Sequence, residues 1–236
     1  RIDRLKEAVN DFIDSSAKEN DKRADVNKQS RIAVVKFAGD KSDKVGDDTY
    51  KKLGYTYNHT QVVSEYKAYT SRDKSELQKK VKELKPAGAT MADNAMNLTQ
   101  KLVNQSKTDE ASNENRKNVK RVVIFFTDGM PASVSGFDKD VAESAIKTAK
   151  SIKKDADIYT IGIFNNADAK ITGHTGDGEW TDIEKANAFM HGLSSNYPNA
   201  ESYDNLGTRA KDTNGNDATY YKAKDASRLK DIFTQI

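Results

Sequence analysis

The sequence predicts an α/β fold: a three-layer, doubly wound, mainly parallel sheet flanked by helices. Two observations carry this. Short apolar runs rich in β-branched residues alternate along the chain with segments of period 3.6, the order of a wound sheet rather than of a bundle or a sandwich. Residues 122–126 (VVIFF) are apolar at every position, as strands covered by helices on both faces read.

Each element follows in order. In 2–18, Ile2, Leu5, Ala8, Val9, Phe12 and Ile13 form one stripe of an amphipathic helix. Residues 31–38 (RIAVVKFA) end at Gly39 and read as a strand. Residues 39–61 show no clear period, a polar insertion. A strand is expected over 62–69. Asp73 with Glu76 three residues on has helix N-cap spacing, Leu77, Val81 and Leu84 supply the buried face, and Pro86 and Gly88 stop the helix. A helix over 92–103 follows, with Ala95, Met96, Leu98, Leu102 and Val103 apolar, then a second polar insertion, 104–118.

After the strand at 122–126, Val141, Ala145, Ile146, Ala149 and Ile152 mark a helix, and 157–164 (DIYTIGIF) a strand. Residues 165–181 are a third insertion, rich in Gly, Asp and Asn. A helix near 182–193, a strand near 218–222 and a C-terminal helix with Leu229, Ile232, Phe233 and Ile236 close the chain. The insertions build no second core, so 1–236 reads as a single domain.

Composition removes several classes of function. Lys and Arg number 39 against 36 Asp and Glu. This balance, interleaved along the chain, does not suit a nucleic-acid binder, whose basic residues dominate one face. The absence of Cys excludes thiol nucleophiles, disulfides and Cys-based metal sites. No apolar run approaches the ~18 residues of a membrane span. Because 2–18 already reads as a helix, the chain is expected to be a piece of a longer polypeptide.

In an open α/β sheet, ligands bind outside the carboxyl ends of the strands. The strand at 122–126 runs into Thr127-Asp128-Gly129-Met130-Pro131, which sets a carboxylate at that lip. Pro86-Ala87-Gly88-Ala89-Thr90 is a second loop, feeding a helix N-terminus. By residue type alone, Asp128 is a turn residue and Thr90 an N-cap. Together they are two hard oxygen donors at a common edge, a set that suits Mg²⁺, which keeps several waters and takes few protein ligands.

The other candidates are thinner. His59, His174 and His191 are scattered without metal-ligand spacing and are expected to be solvated or capping. No nucleophile elbow or phosphate loop occurs. Asp212-Thr213-Asn214-Gly215-Asn216-Asp217 has its Gly too early for a calcium loop, and Asn214-Gly215 reads as a tight turn. Tyr50, Tyr55, Tyr57, Tyr66 and Tyr69 cluster in and after the first insertion, either as a contact surface or as packing onto the domain.

An apolar strand ending in Thr127-Asp128-Gly129, preceded by Gly88-Ala89-Thr90 before a helix, resembles the von Willebrand factor A domain, in the versions found in Gram-positive surface and pilus-tip adhesins. Downstream, Ala186-Asn187-Ala188-Phe189-Met190, Ser194-Ser195-Asn196-Tyr197-Pro198 and Tyr220-Tyr221-Lys222-Ala223 strengthen the narrower match, so the resemblance spans nearly the whole chain. It implies a metal-ion-dependent adhesion site in which Thr90 ligates Mg²⁺ (or Mn²⁺ or Ca²⁺) directly and Asp128 acts through water. In the family a first loop, D-x-S-x-S, completes that site. None occurs here: Asp14-Ser15-Ser16 has the wrong spacing and Ser133-Val134-Ser135 lacks the leading Asp. The resemblance therefore implies that the first strand and first metal-site loop are absent from this chain, supplied by an upstream segment or a separate chain.

The function so implied is non-enzymatic. It is adhesion to an acidic group of a host extracellular-matrix or cell-surface protein through the bound ion, outside the cell at the wall or pilus tip. The alternative is a structural pilus or cell-wall subunit with a vestigial metal site. Metal-assisted hydrolysis lacks a general base near Asp128.

Overall fold

A computed structural model describes residues 2–43 and 49–223. The chain runs α1 (Ile2–Asp21), β1 (Arg31–Lys36), β2 (Thr49–Lys52), β3 (Tyr55–Asn58), β4 (Gln61–Ala68), α2 (Lys74–Glu83), α3 (Ala92–Ser112), β5 (Val122–Thr127), α4 (Lys139–Ile152), β6 (Asp157–Gly162), α5 (Asp182–Leu193) and β7 (Tyr221–Ala223). The expected C-terminal helix and part of the first insertion, 44–48, lie outside the described residues.

The wound α/β architecture is present, with its strands in three ladders. β5, β6 and β7 form a parallel sheet in the order β5-β6-β7, with Val122 opposite Asp157 and Thr127 opposite Gly162. β1 pairs antiparallel with β4, Arg31 opposite Ala68, and carries two register irregularities. β2 and β3 form a separate hairpin.

Side chains alternate across the strands and so define three layers. Val123 and Phe125 of β5 pack with Ala95, Met96 and Val103 of α3 and with the apolar faces of α4 and α5. Ile124, Phe126 and Ile161 turn the other way, against Ala8 of α1. Ile13 of α1, Leu77 and Val81 of α2, and Tyr69 close the same side over Ile32 and Val34 of β1.

Several boundaries depart from expectation for physical reasons. α3 continues through nine further residues, all polar but Ala111, to Ser112, so the first part of the 104–118 insertion is helical. Those residues earn their place by polar contacts: Arg121 donates to the Ser106 hydroxyl at 3.1 Å and pairs with Glu110, and Arg31 pairs with Asp109 at 2.9 Å. The first insertion contains the β2–β3 hairpin, turned by Leu53 (φ 53°) and Gly54 (φ 82°), the two left-handed positions a tight hairpin requires. Its Tyr50 and Tyr57 rings stack at 5.4 Å, and Tyr57 is buried, so packing onto the domain is what these two tyrosines do.

His191 corrects the expectation of a solvated or capping histidine: it is wholly buried. Its Nε2 donates to the Ala169 carbonyl at 2.9 Å, and its Nδ1 accepts from the Asn196 amide at 3.0 Å. Asn196 Oδ1 accepts from the Tyr220 N–H at 2.6 Å, which fixes that amide's orientation. Burial holds the imidazole down at about 4. Nearby, Asn187 Oδ1 accepts from the Tyr221 hydroxyl and from the Asp168 N–H, both at 2.7 Å. The network ties α5, β7 and the third insertion together. At the C-terminal end of α5, Lys153 Nζ donates to the Gly192, Ser194 and Tyr197 carbonyls at 2.8, 3.3 and 2.7 Å. Three acceptors satisfy an ammonium's three donors, although burial and the charge of Lys150 push the amine down to about 7.

Candidate functional site

β5 delivers its carboxyl end to a tight turn. Thr127 Oγ1 donates to the Gly129 carbonyl at 2.8 Å and accepts from the Gly129 N–H at 3.1 Å. With the backbone pinned on either side of it, Asp128 is exposed, and its carboxylate has no hydrogen bond or ion pair among the described residues. The loop then returns: Asp138 N–H donates to the Pro131 carbonyl at 2.8 Å, and the Asp138 carboxylate accepts from Ser133 and caps α4.

The Thr90 loop is clamped to this turn. Thr90 N–H donates to the Ala132 carbonyl at 3.0 Å and Ala132 N–H returns to the Thr90 carbonyl at 3.1 Å. A Cβ placed on Gly129 would stand 3.3 Å from Thr90 Oγ1. Thr90 and Asp128 thus meet at one rim, across a residue whose lack of a side chain lets the hydroxyl approach. Thr90 is not the N-cap of α3; that position is Met91, without a side-chain cap. The Thr90 hydroxyl is spent on nothing else among the described residues.

The first insertion buttresses the same loop. Asn58 N–H donates to the Ala87 carbonyl at 3.1 Å, Asn58 Nδ2 to the Lys85 carbonyl at 2.5 Å, and the Tyr57 ring fills the space a side chain at Gly88 would need. Beside the rim, Asn94 Nδ2 donates to the Gly39 carbonyl at 3.3 Å, which joins α3 to the end of β1.

Sequence reasoning missed Asp93, in the first turn of α3. Burial pushes its carboxyl up, the charge of Asp138 adding to the effect, and its Oδ1 is buried without a hydrogen-bond partner. An acidic residue three positions after Thr90, on a helix whose face is otherwise apolar, is the mark that could have found it.

The rim offers hard oxygen donors suited to a divalent ion, one hydroxyl and one carboxylate, neither otherwise committed. Among the described residues no three His, Cys, Asp or Glu side chains converge as a metal-binding group. The pair fits the chemistry of Mg²⁺ and leaves most of its coordination sphere to water or to an outside anion. His59 packs at a tilt against Tyr50, and His174 is paired with Glu184 at 3.1 Å; neither joins the rim. The turn at Asn214-Gly215 is as expected, Gly215 at φ 81° and the Asn214 N–H bonded to Asp212 at 2.8 Å.

Comparison with known proteins agrees with the fold. The family profile of the von Willebrand factor type A domain matches residues 1–235. No curated relative matches. Among solved structures, two of the pilus adhesin SpaC from Lactobacillus rhamnosus GG, one in an open conformation, share the fold with a TM-score of 0.56 at 12% identity. The match covers 100% of this chain and 27% of theirs, so the chain spans about a quarter of the length of those adhesins.

Proposed function

Because the chain belongs to the von Willebrand factor type A domain family, we propose that it is the adhesion module of a Gram-positive surface or pilus-tip protein. It acts outside the cell and performs no catalysis. It holds Mg²⁺ (or Mn²⁺ or Ca²⁺) through the Thr90 hydroxyl and, by way of water, the Asp128 carboxylate. The remaining protein donors come from a D-x-S-x-S loop outside these residues. A carboxylate of a host matrix or cell-surface protein then completes the sphere, because an ion with few anionic ligands remains strongly attracted to an outside anion. The hairpin of the first insertion and residues 165–181 shape which acidic partner fits.

The observation that carries this reading is the meeting of Thr90 and Asp128 across Gly129, both with uncommitted side-chain oxygens. The scarcity of further acidic ligands among the described residues supports the second reading, a structural pilus or cell-wall subunit with a vestigial site. Mn²⁺ binding followed by electron paramagnetic resonance, with adhesion to surfaces coated with matrix protein, separates the two. Asp128→Ala is expected to weaken Mn²⁺ binding at least tenfold and, like EDTA, to abolish adhesion, with the melting temperature unchanged. Adhesion indifferent to both treatments overturns the metal-dependent reading in favour of the structural one.

A further inference from the structure

The rim with Thr90 and Asp128 lies at the carboxyl ends of the strands. The amino ends of β1 and β5, with the last turns of α3, form the opposite pole, and its chemistry is the reverse. Segments 22–31 and 109–121 hold eight Lys and Arg against four Asp and Glu, a larger positive excess than the +3 of the whole chain. The two segments are stitched together there. Asn113 Nδ2 donates to Asn27 Oδ1 at 3.0 Å, and Arg116 Nη1 to the Asn27 and Gln29 carbonyls at 2.9 and 3.1 Å. Charge that is evenly interleaved along the sequence is thus concentrated by the fold.

Two guanidinium groups at this pole are only half used. Arg31 opens β1; its Nη1 pairs with Asp109 at 2.9 Å, and its guanidinium carbon lies over the Tyr66 ring, 5.5 Å from the centroid. Arg116 uses Nη1 on the two carbonyls. In both, Nε is buried without a hydrogen-bond partner, and Nη2 makes no hydrogen bond among the described residues. Nε and Nη2 are the parallel donors along one side of a guanidinium, the edge that grips an oxyanion in bidentate fashion. A buried donor left unpaired calls for a water or an ion. The nearby carboxylates are committed, Asp109 to Arg31 and Glu110 to Arg121. Burial, then the charge of Arg31, lowers the Arg116 pKa: the two cations stand close.

We propose that Arg31 and Arg116 form an oxyanion site: their side-on forks clamp one sulfate or phosphate ester, while Lys28 and Lys117 hold the neighbouring charges of a polyanionic chain. Both lysines are exposed and flank the arginines on the two stitched segments. Two forks offer four N–H groups, which the three free oxygens of a sulfate or phosphate ester share more readily than the two of a carboxylate. Arg31 is held in place from behind by Tyr66 and Asp109, and Arg116 by the two carbonyls, so the free edges are set before the anion arrives. The site stands at the end of the molecule remote from the rim. It needs no metal, and it goes beyond the adhesion reading rather than resting on it.

Isothermal titration calorimetry of the parent polypeptide tests the site, in EDTA so that metal binding plays no part and at fixed ionic strength because salt screens exposed charges. The probes are dextran sulfate, polyphosphate and uncharged dextran. At least one polyanion is expected to bind and to be displaced by the matching inorganic anion, with dextran inert; the tighter of the two identifies the ester. Arg116→Lys keeps the charge but removes the fork, and is expected to weaken binding at least tenfold. Lys117→Gln removes a charge but leaves both forks, and is expected to weaken it less than threefold. Equal losses or the reverse order overturn the proposal, reducing the pole to a diffuse positive field, and so does failure of both polyanions to bind. Should Arg116→Lys lower the melting temperature, Arg31→Lys serves instead, with the same tenfold loss expected and an unchanged affinity overturning the proposal.

Discussion

β6 and β1 are both six-residue strands of mixed apolar character, yet four positions of β6 are buried and none of β1. The difference lies in their neighbours. β6 is paired on both edges, to β5 and β7, and α5 packs on it; among the described residues β1 is laddered to one strand, β4. Residue type sets what a strand is able to bury, and the count of its partners sets what it does bury.

That contrast has consequences of graded size. The largest is in the core of the paired half: Ile158→Ala, at a fully buried position of β6, is expected to cost about 4 kcal/mol, whereas Val34→Ala in half-buried β1 costs about 1. Urea denaturation of both variants checks this, and equal costs would dissolve the distinction between the halves. Next is the response to acid. His191 is neutral in the folded chain, held at about 4 against an ordinary value near 6.5, so between those values the unfolded chain binds more protons. Stability present above pH 6.5 is therefore lost as pH falls towards 4, about 2 kcal/mol by pH 5. Protonated Nδ1 would also face the Asn196 amide with a donor against a donor. Melting curves at pH 7 and 5, with exchange read separately over 182–193 and 31–36, locate the loss in the paired half. The smallest effect is at a helix end. Thr181 and Glu184 form a reciprocal capping box on α5, and Thr181→Ala is expected to cost about 1 kcal/mol by thermal denaturation.

Most of the strands were legible because their burial depends on local composition: 122–126 has no polar residue to mislead, and the observed strand extends it by one position, to Thr127. The second half of α3 was not, since residues 104–112 are held by ion pairs to arginines distant in sequence rather than by an apolar stripe. His191 was hidden for the opposite reason. It lies in the apolar stretch 188–193 (AFMHGL), and only its two partners, Asn196 and the more distant Ala169 carbonyl, show why a polar ring is tolerated there. Thr90 and Asp128 were legible as strand-end and loop residues; the Gly129 contact that brings them together is a tertiary fact. The hairpin turn at Leu53-Gly54 left a cue in the tyrosines on either side, at 50, 55 and 57, obscured by the lysines between them.

The seat of Lys153 gives the molecule a built-in reporter. With its amine enclosed by three carbonyls at the end of α5, an acylating reagent added at mild pH is kept from it, although with its pKa at about 7 that amine is largely neutral and so nucleophilic. The reagent reaches it only when the end of α5 comes away from α4. The rate of that single modification, read by mass spectrometry, would time the opening of the well-packed half without any engineered probe.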